Sequence, residues 1–330
     1  MKVALVTGGT SGIGLASSVA LCNEGMRVIV CGRRKELWDR AQEYIRNNLS
    51  KDRRNKNLIE YYPCDIRVEV QVKDMIQYIF EKYKRLDVCF NNAGVQPGVV
   101  VNTNISITDF HLDSYVADDG SINYTLPPPQ PLSYYQTQNK EQEIENTEKG
   151  TSPFRENEIA TSCIGTFYCL KWEIAFIERF NPKDIPVSII NTSSRNGTLP
   201  DAHRPIYAAS KAFIVSLTRS LSNEVAVKCR KENRAMIRIN CVSPGPIDTP
   251  LEYAAYGFNN YFSTPSGEKL NNKEYQEYEE RASKGVPMGR TGKPEEVAKL
   301  VVFLADHNKS SYITGSNIAI DGGFTASPLF

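Results

Sequence analysis

The chain has 330 residues, of which 41% are hydrophobic and 23% charged, so wholesale disorder is excluded and a sizeable core is expected. Lys plus Arg number 39 against 38 Asp plus Glu, a formal net charge of +1 that carries no electrostatic footprint of nucleic-acid binding. No apolar run reaches roughly 18 residues, so no membrane span is expected, and the chain enters a strand pattern at Val3 with no room for a secretory leader. The eight cysteines form no C-x-x-C pair, and three histidines are too few for the usual zinc clusters. They read as small buried hydrophobes in a reducing compartment, which places the protein in the cytoplasm and predicts no metal.

In chain order, Val3–Thr7 reads as a strand and Ile13–Glu24 as a helix. Arg27–Cys31 is a second strand, and Lys35–Leu49 a charged, solvent-facing helix. Leu58–Tyr62, a helix at Val68–Tyr83 and a strand at Val88–Asn91 follow. Several strands are apolar on consecutive residues, as a parallel sheet covered on both faces requires. Strand–helix alternation with crossover-length connections predicts right-handed βαβ units. The fold class expected is α/β: a Rossmann-like, doubly wound parallel sheet of about seven strands, one domain over residues 1–330 with a long insertion.

That insertion, about 97–157, has no periodicity and includes Leu126-Pro-Pro-Pro-Gln-Pro-Leu132 and a Glu-rich run. It reads as a surface insertion, or as a flap over a substrate or an oligomer contact. Regular structure resumes with a helix at Ile159–Phe180, a strand at Val187–Asn191, a long helix at Tyr207–Lys228 and a strand at Met236–Val242. A loop-rich stretch at about 250–289 carries Tyr253, Tyr256, Phe258, Tyr261 and Phe262. It reads either as a lid over an apolar or aromatic substrate or as surface tyrosines. Pro294 opens another helix, and Ser316–Ile320 is the last strand.

Three constellations carry chemistry. After the first strand comes Thr7-Gly8-Gly9-Thr10-Ser11-Gly12-Ile13-Gly14, directly followed by a helix. Glycines permit the tight turn, and the helix N-terminus offers free N–H groups and partial positive charge to a pyrophosphate. After the second strand stands Cys31-Gly32-Arg33-Arg34. A carboxylate there would accept ribose hydroxyls and select NAD; two guanidiniums instead favour the 2′-phosphate of NADP, unless they merely begin a basic helix. Tyr207 and Lys211 lie one helical turn apart on one face. A cation about 4 Å from the phenol contributes up to roughly 4 kcal/mol, enough to bring a pKa near 10 toward neutrality. Ser194, at the end of the preceding strand, supplies a hydroxyl for the same substrate oxygen.

Taken together with Cys64-Asp65-Ile66, Asn91-Asn92-Ala93-Gly94, Pro244-Gly245-x-Ile247-x-Thr249 and Asp321-Gly322-Gly323, these residues resemble the short-chain dehydrogenase/reductase family over most of the chain except the insertion. The resemblance implies that Tyr207 is the proton donor or acceptor of a carbonyl/alcohol pair. Lys211 would hold the nicotinamide ribose and lower the tyrosine pKa, and Ser194 would orient the substrate oxygen. Gly8, Thr10, Ser11, Gly12, Ile13 and Gly14 would cradle the dinucleotide. Asp65 and Ile66 would sit against adenine, Asn91 against the adjacent ribose and sheet, and Ile247 and Thr249 at the carboxamide, with Ala93, Gly94, Pro244 and Gly245 also cofactor-binding. Ser162 stands where the family usually has an Asn that bends the helix and holds a water, which puts proton supply in question. The expectation is an NADP(H)-preferring oxidoreductase interconverting an alcohol and a ketone, assembled as a homo-oligomer, tetramer before dimer. A catalytically impaired dinucleotide-binding scaffold or sensor, and an enoyl-thioester reductase, are the alternatives.

Overall fold

Among the described residues, seven strands pair in parallel, in the order β3-β2-β1-β4-β5-β6-β7. β1 (Val3–Thr7) leads into α1 (Gly12–Asn23), β2 (Arg27–Gly32) into α2 (Lys35–Asn48), and β3 (Ile59–Pro63) into α3 (Glu69–Tyr83) before β4 (Val88–Asn91). A π-helical turn, Ile159–Gly165, then runs into α4 (Thr166–Phe180), followed by β5 (Val187–Thr192) and a short 3-10 turn at Arg195–Gly197. The long α5 (Pro205–Lys231), β6 (Ile237–Pro244), α6 (Pro250–Ala255), α7 (Asn272–Ser283), α8 (Pro294–Ala305) and β7 (Asn317–Ile320) complete the order. This computed structural model describes residues 1–54, 56–95, 158–200, 204–255 and 272–326. The insertion expected at 97–157 lies outside them, as do Tyr256, Phe258, Tyr261 and Phe262.

The consecutive apolar residues have the expected cause. On one face, Ile29, Leu5, Cys89, Ile189 and Ile239 stand in register across five strands. They pack under Val72 and Ile76 of α3, Leu170 of α4 and Val225 of α5. On the other face, Val30, Val6, Phe90 and Ile190 meet Leu15 and Val19 of α1, Ala41 of α2, and Val301 and Leu304 of α8. Both faces are covered, so both residue parities are apolar. The strand order turns outward in both directions from β1 and β4, which opens a crevice beyond their carboxyl ends.

The strand and helix expectations hold within a few residues at each end. The stretch read as loop-rich differs: it contains α6 and α7. In α7 the buried residues are Tyr278 and Ala282, with Tyr275 partly buried beside them, among charged neighbours. Tyrosines on a charged helix make a faint apolar stripe, which is why periodicity missed it. All eight cysteines are free and buried. Among the described residues no helix is long and apolar enough to cross a membrane.

Candidate active site

Each strand end delivers one part of the crevice. The turn after β1 is held by Gly8 N–H and Gly9 N–H donating to Cys31 O at 2.9 and 3.3 Å. Gly8 adopts φ +65°, and a Cβ there would lie 2.9 Å from Ala93 Cα. Gly12 has φ +50° and faces the Thr249 side chain. Both positions therefore need glycine. The first intrahelical bond of α1 is Leu15 N–H to Ser11 O, so the preceding amides have no intrahelical partner. Thr10 packs against Gly32. β4 is stitched to this turn: Asn92 N–H and Ala93 N–H both donate to Thr7 Oγ1 at 3.0 Å.

Arg33 and Arg34 follow β2. Neither makes an ion pair or side-chain hydrogen bond among the described residues. Burial and the adjacent Arg33 charge hold the Arg34 guanidinium below its usual range. Two adjacent cations that no carboxylate among the described residues hydrogen-bonds have donors to offer an anion. Asp65, after β3, is held by Arg67, whose Nη2 lies 2.6 Å from Oδ2 and whose backbone N–H caps Oδ1 at 3.0 Å. Hydrogen bonds from Arg67 outweigh burial and keep the Asp65 carboxyl low, with Arg33 adding its charge. Ile66, 5% exposed, packs against Gly165 of the π-helical turn. The dinucleotide fits what is present: a glycine cradle that any Cβ would obstruct, free helix N-terminal amides, and an unmatched arginine pair.

Asn91 likewise points inward. Its Nδ2 donates to Glu173 Oε2 at 3.0 Å and to Asn191 Oδ1 at 3.1 Å, and Asn191 Nδ2 donates to Thr218 Oγ1 at 2.9 Å. This buried chain fastens β4 and β5 to α4 and α5, so the Asn91 amide serves the sheet. Burial pushes the Glu173 carboxyl up to about 7, while donors from Asn91 and Cys89 oppose the rise. Sequence reasoning missed Glu173; its signal is a lone acid within the otherwise apolar Trp172–Phe176 run of α4.

The residues expected to react converge at the ends of β5 and β6. Ser193, Ser194, Tyr207, Lys211, Pro244 and Thr249 line one cleft. Gly94 adjoins it, since a Cβ there would lie 3.4 Å from Lys211 Nζ. Gly245 packs on Asp321, and Ile247 on Gly292, which shapes the loop after β6. Ser193 Oγ donates to Lys211 O at 2.8 Å, which ties the serine loop to α5. Lys211 Nζ donates to Thr192 O at 3.3 Å and lies 5.6 Å from the Tyr207 ring centroid.

The electrostatics differ from the sequence expectation. Burial pushes the Tyr207 phenol up to about 12; the Ser194 hydroxyl beside it draws it back, Glu252 raises it and Arg204 lowers it. The Lys211 ammonium, 5.6 Å from the Tyr207 ring centroid, does not outweigh that burial. Burial instead brings Lys211 down to about 8. Within the chain's own field the phenol is therefore a held proton, an acid in readiness. Ser162 lies on the π-helical turn, fully buried, with a hydroxyl that has no partner among the described residues. Tyr253 does not face the cleft: it stacks edge-on against Tyr278 at 4.9 Å and its phenol donates to Asp248.

Residues 2–114 match the family model described as short chain dehydrogenase, and residues 144–325 the one described as Enoyl-(Acyl carrier protein) reductase. The chain is 42% identical to an uncharacterized short-chain type dehydrogenase/reductase of Acanthamoeba polyphaga mimivirus, over 99% of this chain and 98% of that one. It is 29% identical to the 3-oxoacyl-[acyl-carrier-protein] reductase FabG of Thermotoga maritima, over 98% and 97%. In fold it is similar to the 3-ketoacyl-(acyl-carrier-protein) reductase from Brucella melitensis complexed with NADH, with a TM-score of 0.66, 21% identity and 98% of both chains covered. The chain belongs to the short-chain dehydrogenase/reductase family, NAD(P)-dependent oxidoreductases that act on carbonyl or alcohol groups.

Proposed function

We propose that the protein is an NADP(H)-preferring reductase that converts a ketone to an alcohol. The observation that carries this reading is the Ser194 hydroxyl set against the Tyr207 phenol in the cleft that Lys211 also lines. Two hydroxyls side by side in one cleft suit a single carbonyl oxygen. NADPH, when bound, supplies the hydride. Tyr207 delivers its proton to the developing alkoxide, and a phenol held protonated suits this direction. Ser194 donates a hydrogen bond to the same oxygen, and Lys211 holds the ribose side. Arg33 and Arg34 would receive the 2′-phosphate, with Gly12, Ile13 and Gly14 at the pyrophosphate.

Tyr207→Phe should lower reductive turnover by about 10²–10⁴-fold while NADPH binding, followed by fluorescence titration, changes little. Turnover at the wild-type rate would reject the mechanism. Arg33→Ala should weaken NADPH relative to NADH by roughly tenfold or more. Tighter binding of NADH than NADPH by the wild type would reject the cofactor preference.

The matching model's description favours a second reading, reduction of an enoyl thioester. Acetoacetyl and crotonyl thioesters offered side by side separate the two. Retention of Ser194, Tyr207 and Lys211 together argues against a non-catalytic scaffold. Eight free cysteines fit a cytoplasmic location. Ile164 and Phe167, and Phe213 of α5, stand exposed on neighbouring helical elements, and they support a homo-oligomer, tetramer before dimer.

A further inference from the structure

The cleft that holds the reacting hydroxyls also carries charge that the reduction of a neutral ketone does not use. Arg195 follows Ser194 directly, and Arg204 precedes Tyr207 by three residues at the N-cap of α5. Each hydroxyl donor thus has an arginine beside it in the chain, and both arginines line the cleft. Arg195 is held in place, its guanidinium 4.0 Å over the Phe324 ring centroid. Arg204 is partly buried, and its guanidinium makes no hydrogen bond or ion pair among the described residues. It is nonetheless close enough for its charge to act on the Tyr207 phenol. Among the described residues that line the cleft, Glu252, in the first turn of α6, is the carboxylate, against the guanidiniums of Arg195 and Arg204 and the Lys211 ammonium on the same wall. A partly desolvated guanidinium with no acceptor among the described residues is a fork suited to an oxyanion.

We propose that the substrate is a ketone bearing an anionic group, carboxylate or phosphate, which Arg204 grips while Ser194 and Tyr207 address the carbonyl oxygen. This inference rests on the reductase reading above and adds the substrate class to it. Arg204 thereby sets specificity, and Arg195 adds to the field. The guanidinium offers parallel N–H donors, so a carboxylate or a phosphate is held in orientation as well as attracted.

The test compares two matched pairs: acetoacetate with its methyl ester, and dihydroxyacetone phosphate with dihydroxyacetone. In the wild type, kcat/KM should favour the charged member of at least one pair roughly tenfold or more, and added salt should shrink that ratio. Whichever pair shows the larger ratio identifies carboxylate or phosphate as the gripped group. Arg204→Ala should collapse the ratio roughly ten- to a hundredfold, and Arg204→Lys should restore part of it. A binding readout accompanies the kinetics: calorimetric titration of Tyr207→Phe with the preferred anion, which should weaken when Arg204→Ala is added. Ratios at or below one in the wild type, or ratios untouched by Arg204→Ala, overturn the proposal. If the wild type reduces none of the four while the calorimetric dependence on Arg204 persists, the reductase reading fails and the anion site stands.

Discussion

A methyl group on Gly197 would strike the Ser193 hydroxyl and lie 2.9 Å from the backbone carbonyl of Lys211. That contact sets how closely the serine loop approaches α5, and hence how Ser194 meets Tyr207. Gly197→Ala should cost about 1–3 kcal/mol in denaturant unfolding and lower kcat/KM at least tenfold, because the two hydroxyls are pried apart. A variant with wild-type stability and rate would show that the loop has slack. Lys211, brought down to about 8 by burial, should lose its proton as pH rises through that value. Reductive kcat/KM is then expected to fall above about pH 8 in a pH–rate profile. At this scale Ser194, Tyr207, Lys211 and the glycine turn were legible, because spacing along a strand end and a helix face determines where they meet. The direction of the Tyr207 shift was not, since burial is a property of the folded surroundings. Arg204 and Arg67 were missed for a similar reason: an arginine in a loop has no periodicity to betray it.

Among the elements, the π-helical turn at Ile159–Gly165 stands out from the straight helix expected there. It sits where the resemblance anticipated a bend, although Ser162 has replaced the usual Asn. The Ser162 hydroxyl is fully buried without a partner among the described residues. Ser162→Ala should therefore hold its stability or gain about 1 kcal/mol in denaturant unfolding. A loss of similar size would reveal that an internal water satisfies the hydroxyl. The strands and most helices could be read from two-sided apolar runs and charged faces. α7 could not, because Tyr275, Tyr278 and Ala282 give so little apolar contrast that a satellite cluster with Tyr253 forms without a visible period.

For the molecule as a whole, the buried chain from Glu173 through Asn91 and Asn191 to Thr218 links acidity to stability. Glu173 rises from the ordinary 4.5 to about 7, so the folded state keeps a proton that the unfolded state releases. The sign follows: this stabilisation is complete below about pH 4.5 and is lost as pH climbs through about 7. Glu173→Gln should shrink the stability difference between about pH 5 and pH 8 by on the order of 3 kcal/mol, read by urea unfolding at each pH. The same sheet has a consequence for chain entropy. β4 ends at Asn91 and its parallel neighbour β5 begins at Val187, so the central pair of the sheet closes over most of a hundred residues. Closure cost rises only logarithmically, about 0.6 kcal/mol for each doubling of length. Evolution could therefore lengthen that connection at little thermodynamic penalty, while the rate at which β5 finds β4 bears the burden.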